Sequence, residues 1–288
     1  MRRWALAAVV AATAQGAWAA DLPEDFPALR GGITDGLTRT SVYWQGAYVG
    51  GQLSYSSANM DFSNATQSLT SFMFQNLALQ GTVSGWTLLG RTSPVSAGFG
   101  GFVGYNAQWD DAVLGIEGNY TRLSNLTGSQ GNTLPMIATP TNTCFVPPPG
   151  DTVQCGAQLS GAATATISDV VTLRGRAGYA IGNFLPYMFG GVALALADVS
   201  RTATVNTQST FFNATTKIQD GAPITDTHST TQTSHGLFTY GWTAGAGFET
   251  MLWGGLFTRA EYEYIRFVSL KNINVQMNTV RLGLGYKF

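Results

Sequence analysis

Charge is what this sequence has least of. Only 11% of its 288 residues are Asp, Glu, Lys or Arg, against about a quarter in a soluble domain, so the surface of an ordinary cytosolic protein is excluded. Fifteen basic and sixteen acidic residues leave a formal net charge of −1. That provides neither a basic field for nucleic acid nor an acidic tail. Beyond the first residues, no segment has the length and apolarity of a membrane-spanning helix. No phosphate loop, zinc-protease helix or nucleophile elbow is present. The two cysteines and two histidines fall in different segments, which argues against a four-ligand zinc site. No cofactor is expected.

Glycine, aromatics and alternation are plentiful. The chain has 35 glycines, 12% aromatic and 44% hydrophobic residues, and a mean hydropathy of +0.06. Such a composition argues against disorder. An average near zero without long apolar runs implies that apolar and polar residues take turns.

The N-terminus reads as an export signal. Arg2 and Arg3 precede a short apolar stretch from Trp4 to Ala14, and Ala17-Trp18-Ala19 fits a small-x-small cleavage site. Residues 1–19 are therefore expected to be removed, 20–42 to form a periplasmic strap, and 43–288 to form one β-barrel domain with long surface loops.

Runs of about ten residues with period two recur, the length and pattern of a transmembrane strand. They lie at 46–56, 97–109, 112–121, 171–181, 238–250, 256–264 and 280–288. An eighth run, 185–197, is apolar on both faces and has no readable phase. Short connections at 110–111, 182–184 and 251–255 alternate with long polar ones at 57–94, 122–168 and 198–235, and a shorter one at 266–278. Long loops on one side and tight turns on the other predict an all-β, antiparallel, up-and-down transmembrane barrel of eight strands, with the tight turns and both termini in the periplasm. A count of ten stays open through Gly81–Gly90. Aromatics gather near strand ends: Trp109, Trp253, Tyr286 and Phe288 at one end, Tyr55, Tyr120, Tyr240 and Tyr264 nearer the other. That is the placement of interfacial girdles.

Charge falls on one face of these runs and apolar side chains on the other. The charged face carries Glu117, Arg174, Arg176, Glu249, Arg259, Glu261, Glu263, Arg281 and Lys287. A soluble barrel would have to bury them, whereas a membrane barrel keeps a polar interior. An eight-stranded barrel is just wide enough for side chains to fill it. The charges are thus expected to form a lumen network, with Arg281 against Glu261; a narrow porin-like path for small solutes is the alternative. Glu261 and Glu263 share a face, but no nucleophile accompanies them, so no enzyme is expected. In an exported chain, Cys144 and Cys155 are expected to form a disulfide in the second long loop.

The order of several segments resembles a known family. Ala20-Asp21-Leu22-Pro23 and Trp44-Gln45-Gly46-Ala47-Tyr48-Val49-Gly50-Gly51 resemble the start of the alphaproteobacterial small outer-membrane β-barrel proteins, the opacity-like surface antigens. GFGGFVGYNAQWDDAVLGIEGNY (98–120) and LRGRAGYAIGNFLPYMFGGVA (173–193) resemble inner hairpins of that family, and WTAGAGFE (242–249), RAEYEY (259–264) and RLGLGYKF (281–288) its last strands. The resemblance implies an outer-membrane barrel with a non-enzymatic envelope-structure or surface-interaction role. Implied partners are outer-membrane lipid, lipopolysaccharide, the barrel assembly machinery and an unidentified surface ligand. Tyr286 and Phe288 would carry the assembly signal.

Overall fold

The computed structural model describes residues 42–73, 87–139 and 148–288. The expected export signal, the strap up to position 41, positions 81–86 and Cys144 lie outside the described residues.

The described strands are, in chain order, β1 (Gly46–Asp61), β2 (Arg91–Thr92), β3 (Val95–Trp109), β4 (Ala112–Thr133), β5 (Ile137–Thr139), β6 (Asp151–Tyr179), β7 (Phe184–Asn213), β8 (Ile224–Trp253), β9 (Leu256–Phe267) and β10 (Asn274–Lys287). One short helix, α1 (Gln67–Met73), follows β1. Eight strands run β1–β3–β4–β6–β7–β8–β9–β10, and β10 pairs back onto β1 from Tyr48↔Lys287 to Asp61↔Asn274. The ring therefore closes with eight antiparallel strands. β2 and β5 only extend the edges of β1 and β6. Closure leaves no open edge within the ring, as lipid requires, because water is absent there to satisfy a free backbone.

The two faces fall as the alternation predicts. Val49, Leu53, Phe99, Val103, Ile116, Leu173, Leu282 and Leu284 are exposed on the outer wall, while Tyr48, Gln52, Glu117, Arg174 and Arg281 are buried inside. The unphased run is resolved: Leu185, Tyr187, Phe189, Ala193 and Ala195 point inward, Met188, Val192 and Leu194 outward.

The long loops are where expectation and structure part. Strands β4, β6, β7 and β8 have 22, 29, 30 and 30 residues, so most of 122–133, 151–168, 198–213 and 224–235 is sheet. The stretch 266–278 likewise shrinks to a turn between β9 and β10. The reason is a change of phase. Register shifts occur between Arg122 and Leu126, between Ile167 and Asp169, and between Ala197 and Val199. On β4 and β6 the extra residues move the following side chains to the opposite face, from Leu123 to Leu126 and from Ile167 to Val170, so a strict period-two reading ends there. Strand β7 keeps its phase, with Val199, Arg201, Ala203 and Val205 continuing the inward face of Ala197. Beyond the bulges the inner face of β6 continues with Val153, Ala157, Leu159, Ala163, Ala165 and Ile167, all buried. Alternating with Thr and Ser, such small apolar residues give little hydropathic contrast.

The interior is layered. Near the short turns Trp44, Tyr48, Phe102, Leu185, Tyr187, Phe189, Met251 and Phe257 pack together. Towards the long-strand end a second cluster joins Met60, Phe62, Leu126, Ile167, Val199, Phe267 and Val275 with Leu88 and Leu89. The charges lie between the two.

Candidate functional site

Eight of the nine expected lumen charges are brought together. Glu117, Glu249, Glu261 and Glu263 face Arg174, Arg176, Arg259 and Arg281, each at most 4% exposed. Four negative and four positive groups cancel, as burial of charge demands. Strand register places them: Glu117 lies opposite Arg174, Glu249 opposite Arg259, and Glu261 opposite Arg281.

Glu117 is the hub. Its carboxylate accepts from Arg174 Nη2 at 2.6 Å, Arg259 Nη1 at 2.9 Å, Arg176 Nη1 at 3.3 Å and the Tyr48 hydroxyl at 2.8 Å. Asn119 also donates to it. Arg174 reaches Glu261 at 2.6 Å and Glu263 at 3.4 Å. Arg176 bonds Glu249 at 2.7 Å. Tyr187 donates to Glu261 at 2.5 Å and Thr243 to Glu263 at 2.8 Å.

Aromatic rings cover the faces of three of these guanidiniums while carboxylates meet their N–H edges. Arg174 stands 4.0 Å over Phe189, Arg176 3.9 Å over Tyr187, and Arg259 3.4 Å over Phe102. A desolvated cation on a ring face gains electrostatically from the ring quadrupole. These inward aromatics escaped the sequence reading, which looked for aromatics on the lipid face. The parity of β1 and β3 already puts Tyr48 and Phe102 on the same side as Gln52 and Asn106, and that signal was available.

Two expectations need correction. Arg281 is the cross-strand neighbour of Glu261, yet its guanidinium lies 2.5 Å from Glu263 and 3.9 Å from Glu261. Diagonal reach between long side chains decides the partner, not the direct pairing. Lys287 does not enter the network. Its Nζ donates to the Gln45 carbonyl at 3.2 Å, at the rim.

The far end of the lumen is closed by the segment after β1. Phe62, Ala65, Leu88 and Leu89 enter the aliphatic cluster. Arg201, on β7, is buried there, and Nη1 donates to the Ala65 and Lys271 carbonyls, both at 2.9 Å. It thereby ties the α1 segment to the β9–β10 turn. Burial pulls its guanidinium below the ordinary value. Outside the barrel mouth, Ser63 donates to Asp61 through its hydroxyl and amide, and these bonds hold that carboxyl below the usual range. Among the described residues no group of acidic, histidine or cysteine side chains is arranged to hold a metal.

Comparison with known proteins agrees with this architecture. Residues 5–288 match the family model described as "Outer membrane protein beta-barrel domain". A 25 kDa outer-membrane immunogenic protein of Brucella ovis is 23% identical over 200 residues, covering 69% of this chain and 68% of that protein. Its counterpart in Brucella canis is 29% identical over 126 residues, covering 41% of this chain and under half, 45%, of that relative. Among solved structures, Neisserial surface protein A aligns with 84% of this chain and 97% of its own at 12% identity and a TM-score of 0.32. The attachment invasion locus protein of Yersinia pestis aligns with 85% and 99% at 12% identity and a TM-score of 0.30. With its whole ring inside the matched span, this chain belongs to the outer membrane protein β-barrel domain family and is a β-barrel protein of the outer membrane.

Proposed function

We propose that the protein is a non-enzymatic structural and surface-interaction component of the envelope. One observation carries this reading. Strands β6, β7 and β8 rise beyond the apolar belt as a sheet whose last strand is unpaired along one side. From Ile224 to Leu237, β8 pairs only with β7 among the described residues. Such an edge is a template for a partner's strand. Its outer face is lined with hydroxyls, paired as Thr202–Thr231 at 3.0 Å and Thr204–Ser229 at 2.8 Å. The filled lumen argues against solute passage, since both ends are sealed by side chains and the middle by paired charge.

Protease added to intact cells should cut within 198–235 and spare the belt strands. Cleavage confined to permeabilised cells would invert the topology. In planar bilayers no steady conductance is expected, and a large, stable one would turn the reading into that of a channel.

Three parts of the chain enter the same proposal. Residues 1–19 act as a removable export signal, with 20–42 as the periplasmic strap. Cys144 and Cys155 form a disulfide that pins the outer end of β6, where Cys155 is buried and not a free thiol. Closing so short a loop stabilises by about 2–3 kcal/mol. Thiol labelling of unfolded, unreduced protein should therefore fail, and labelling of both cysteines would remove the bridge from the account.

Tyr286 and Phe288 serve assembly. The Phe288 amide donates to the Ala47 carbonyl at 2.9 Å, and its ring meets Tyr286 edge-on at 5.3 Å. Both rings lie exposed at the β1–β10 seam. Deleting Phe288 should lower the yield of heat-modifiable, membrane-embedded protein far more than Tyr262→Leu. Equal yields would leave Phe288 as an ordinary interfacial aromatic.

A further inference from the structure

At the long-strand end, a cleft of about 590 Å³ lies beside the free edge of β8. Its position follows from where β9 ends. β9 stops at Phe267, opposite Gly241, and the turn after it bends inward, with Leu270 and Ile273 buried in the upper cluster. A gap remains beside β8 where a longer β9 would lie. Ser68, Leu69 and Phe72 of α1 and Lys271 and Asn272 of the turn line it from across that gap.

The cleft reaches the backbone edge of β8, not one face alone. Consecutive Thr230, Thr231 and Gln232 all line it. Neighbouring side chains of a strand point to opposite faces. Gln232 is opposite the inward Arg201, whereas Thr231 bonds Thr202 on the outer face at 3.0 Å. Only the edge of the strand is common to both.

The chemistry inside is cationic. Arg201 is buried, and the groups that accept its N–H bonds are neutral: the Ala65 and Lys271 carbonyls at 2.9 Å, the Ser68 hydroxyl at 3.3 Å and the Gln232 side chain. Lys271 adds a second, exposed charge. Among the described residues no Asp or Glu lines the cleft, and the stretch 62–90, which includes α1, contains none. Asp226, on the same face of β8 as Gln232, lies 3.0 Å from His228 instead. A desolvated cation without a counter-charge is costly, so a carboxylate entering here gains by compensating it with charge-assisted hydrogen bonds. The exposed ring of Phe72 gives the cleft an apolar wall.

We infer that this cleft is the selectivity pocket of the β8 edge, and that the partner is a protein segment that adds to β8 as a further strand and directs an aspartate or glutamate at Arg201 and Lys271. In strand addition, main-chain hydrogen bonds supply affinity, and pockets for alternate side chains supply selection. The inference rests on the reading of β8 as a template for a partner's strand, and adds what that strand must carry.

The test uses the folded protein in phosphatidylcholine nanodiscs and three fluorescein-labelled peptides, read by anisotropy. They are STVTETVTS, the same peptide with Gln for Glu, and the Glu peptide N-methylated at each peptide bond, which removes its strand donors. The Glu peptide should bind, and the Gln peptide up to about fivefold more weakly, the upper range for an exposed ion pair. Lys271→Gln should weaken the Glu peptide by a similar factor and leave the Gln peptide unchanged. Arg201 also holds α1 in place, so Lys271→Gln is the deciding variant, and heat-modifiability on unboiled gels confirms that it is folded. Equal binding of the Glu and Gln peptides, or an unchanged affinity of Lys271→Gln for the Glu peptide, would overturn the pocket and leave the edge reading standing. Binding of the N-methylated peptide as tight as that of its parent, or no binding of any peptide, would overturn both. Competition by free glutamate as effective as by the Glu peptide would reduce the cleft to a plain carboxylate site and overturn the inference.

Discussion

Replacing Glu117 with alanine is expected to cost about 3–5 kcal/mol, the usual penalty for breaking a buried charge cluster by removing one partner. The single carboxylate neutralises parts of three guanidiniums, and its loss leaves the buried Arg174, Arg176 and Arg259 with a positive excess. Unfolding in urea from lipid vesicles, followed by the gel shift between folded and unfolded forms, measures the effect. Glu117→Gln keeps an acceptor for Tyr48 and should lose less. Arg281→Ala should also lose less, because Glu263 retains Arg174 and Thr243. If Glu117→Ala were as stable as wild type, the network would be mere filling.

The second large effect is expected at Gly50. A side-chain carbon there would lie 2.2 Å from Cζ of Phe102 and 2.4 Å from the Leu284 carbonyl. A substitution at Phe102 removes the ring, but the carbonyl belongs to β10 at the seam that closes the barrel. Gly50→Val should therefore exceed the ~1–3 kcal/mol of ordinary overpacking and leave little heat-modifiable protein. Adding Phe102→Ala should not rescue it. Gly51→Ala faces outward, with its nearest contact at 3.9 Å, and should assemble normally. Normal assembly of Gly50→Val would show that the seam can yield.

What the sequence discloses and conceals follows from the physics of each face. The lipid wall is legible because lipid admits only apolar side chains, so Val280, Leu282, Leu284 and Tyr286 alternate with Arg281, Gly283 and Gly285 without interruption. The lumen charges are legible as a set for the same reason. Their pairings are not, because Arg281 selects Glu263 by side-chain reach rather than register. The inward aromatics of β7 are concealed since Tyr187 and Phe189 serve cations rather than lipid. The upper sheet is concealed because water bathes its outer face and accepts Thr, Ser or Ala alike.

The register shifts along β4, β6 and β7–β8 fall on adjoining strands at neighbouring pairings, Arg122 beside Asp169 and Ile167 beside Ala197. Together they crease the wall where belt gives way to free-standing sheet. Below the crease, each residue answers to lipid on one side and to the charge cluster on the other. Above it, a hairpin can lengthen, shorten or change its surface without shifting any pairing in the belt. The crease thus divides the molecule into a part fixed by the membrane and a part free to diversify under pressure from outside the cell.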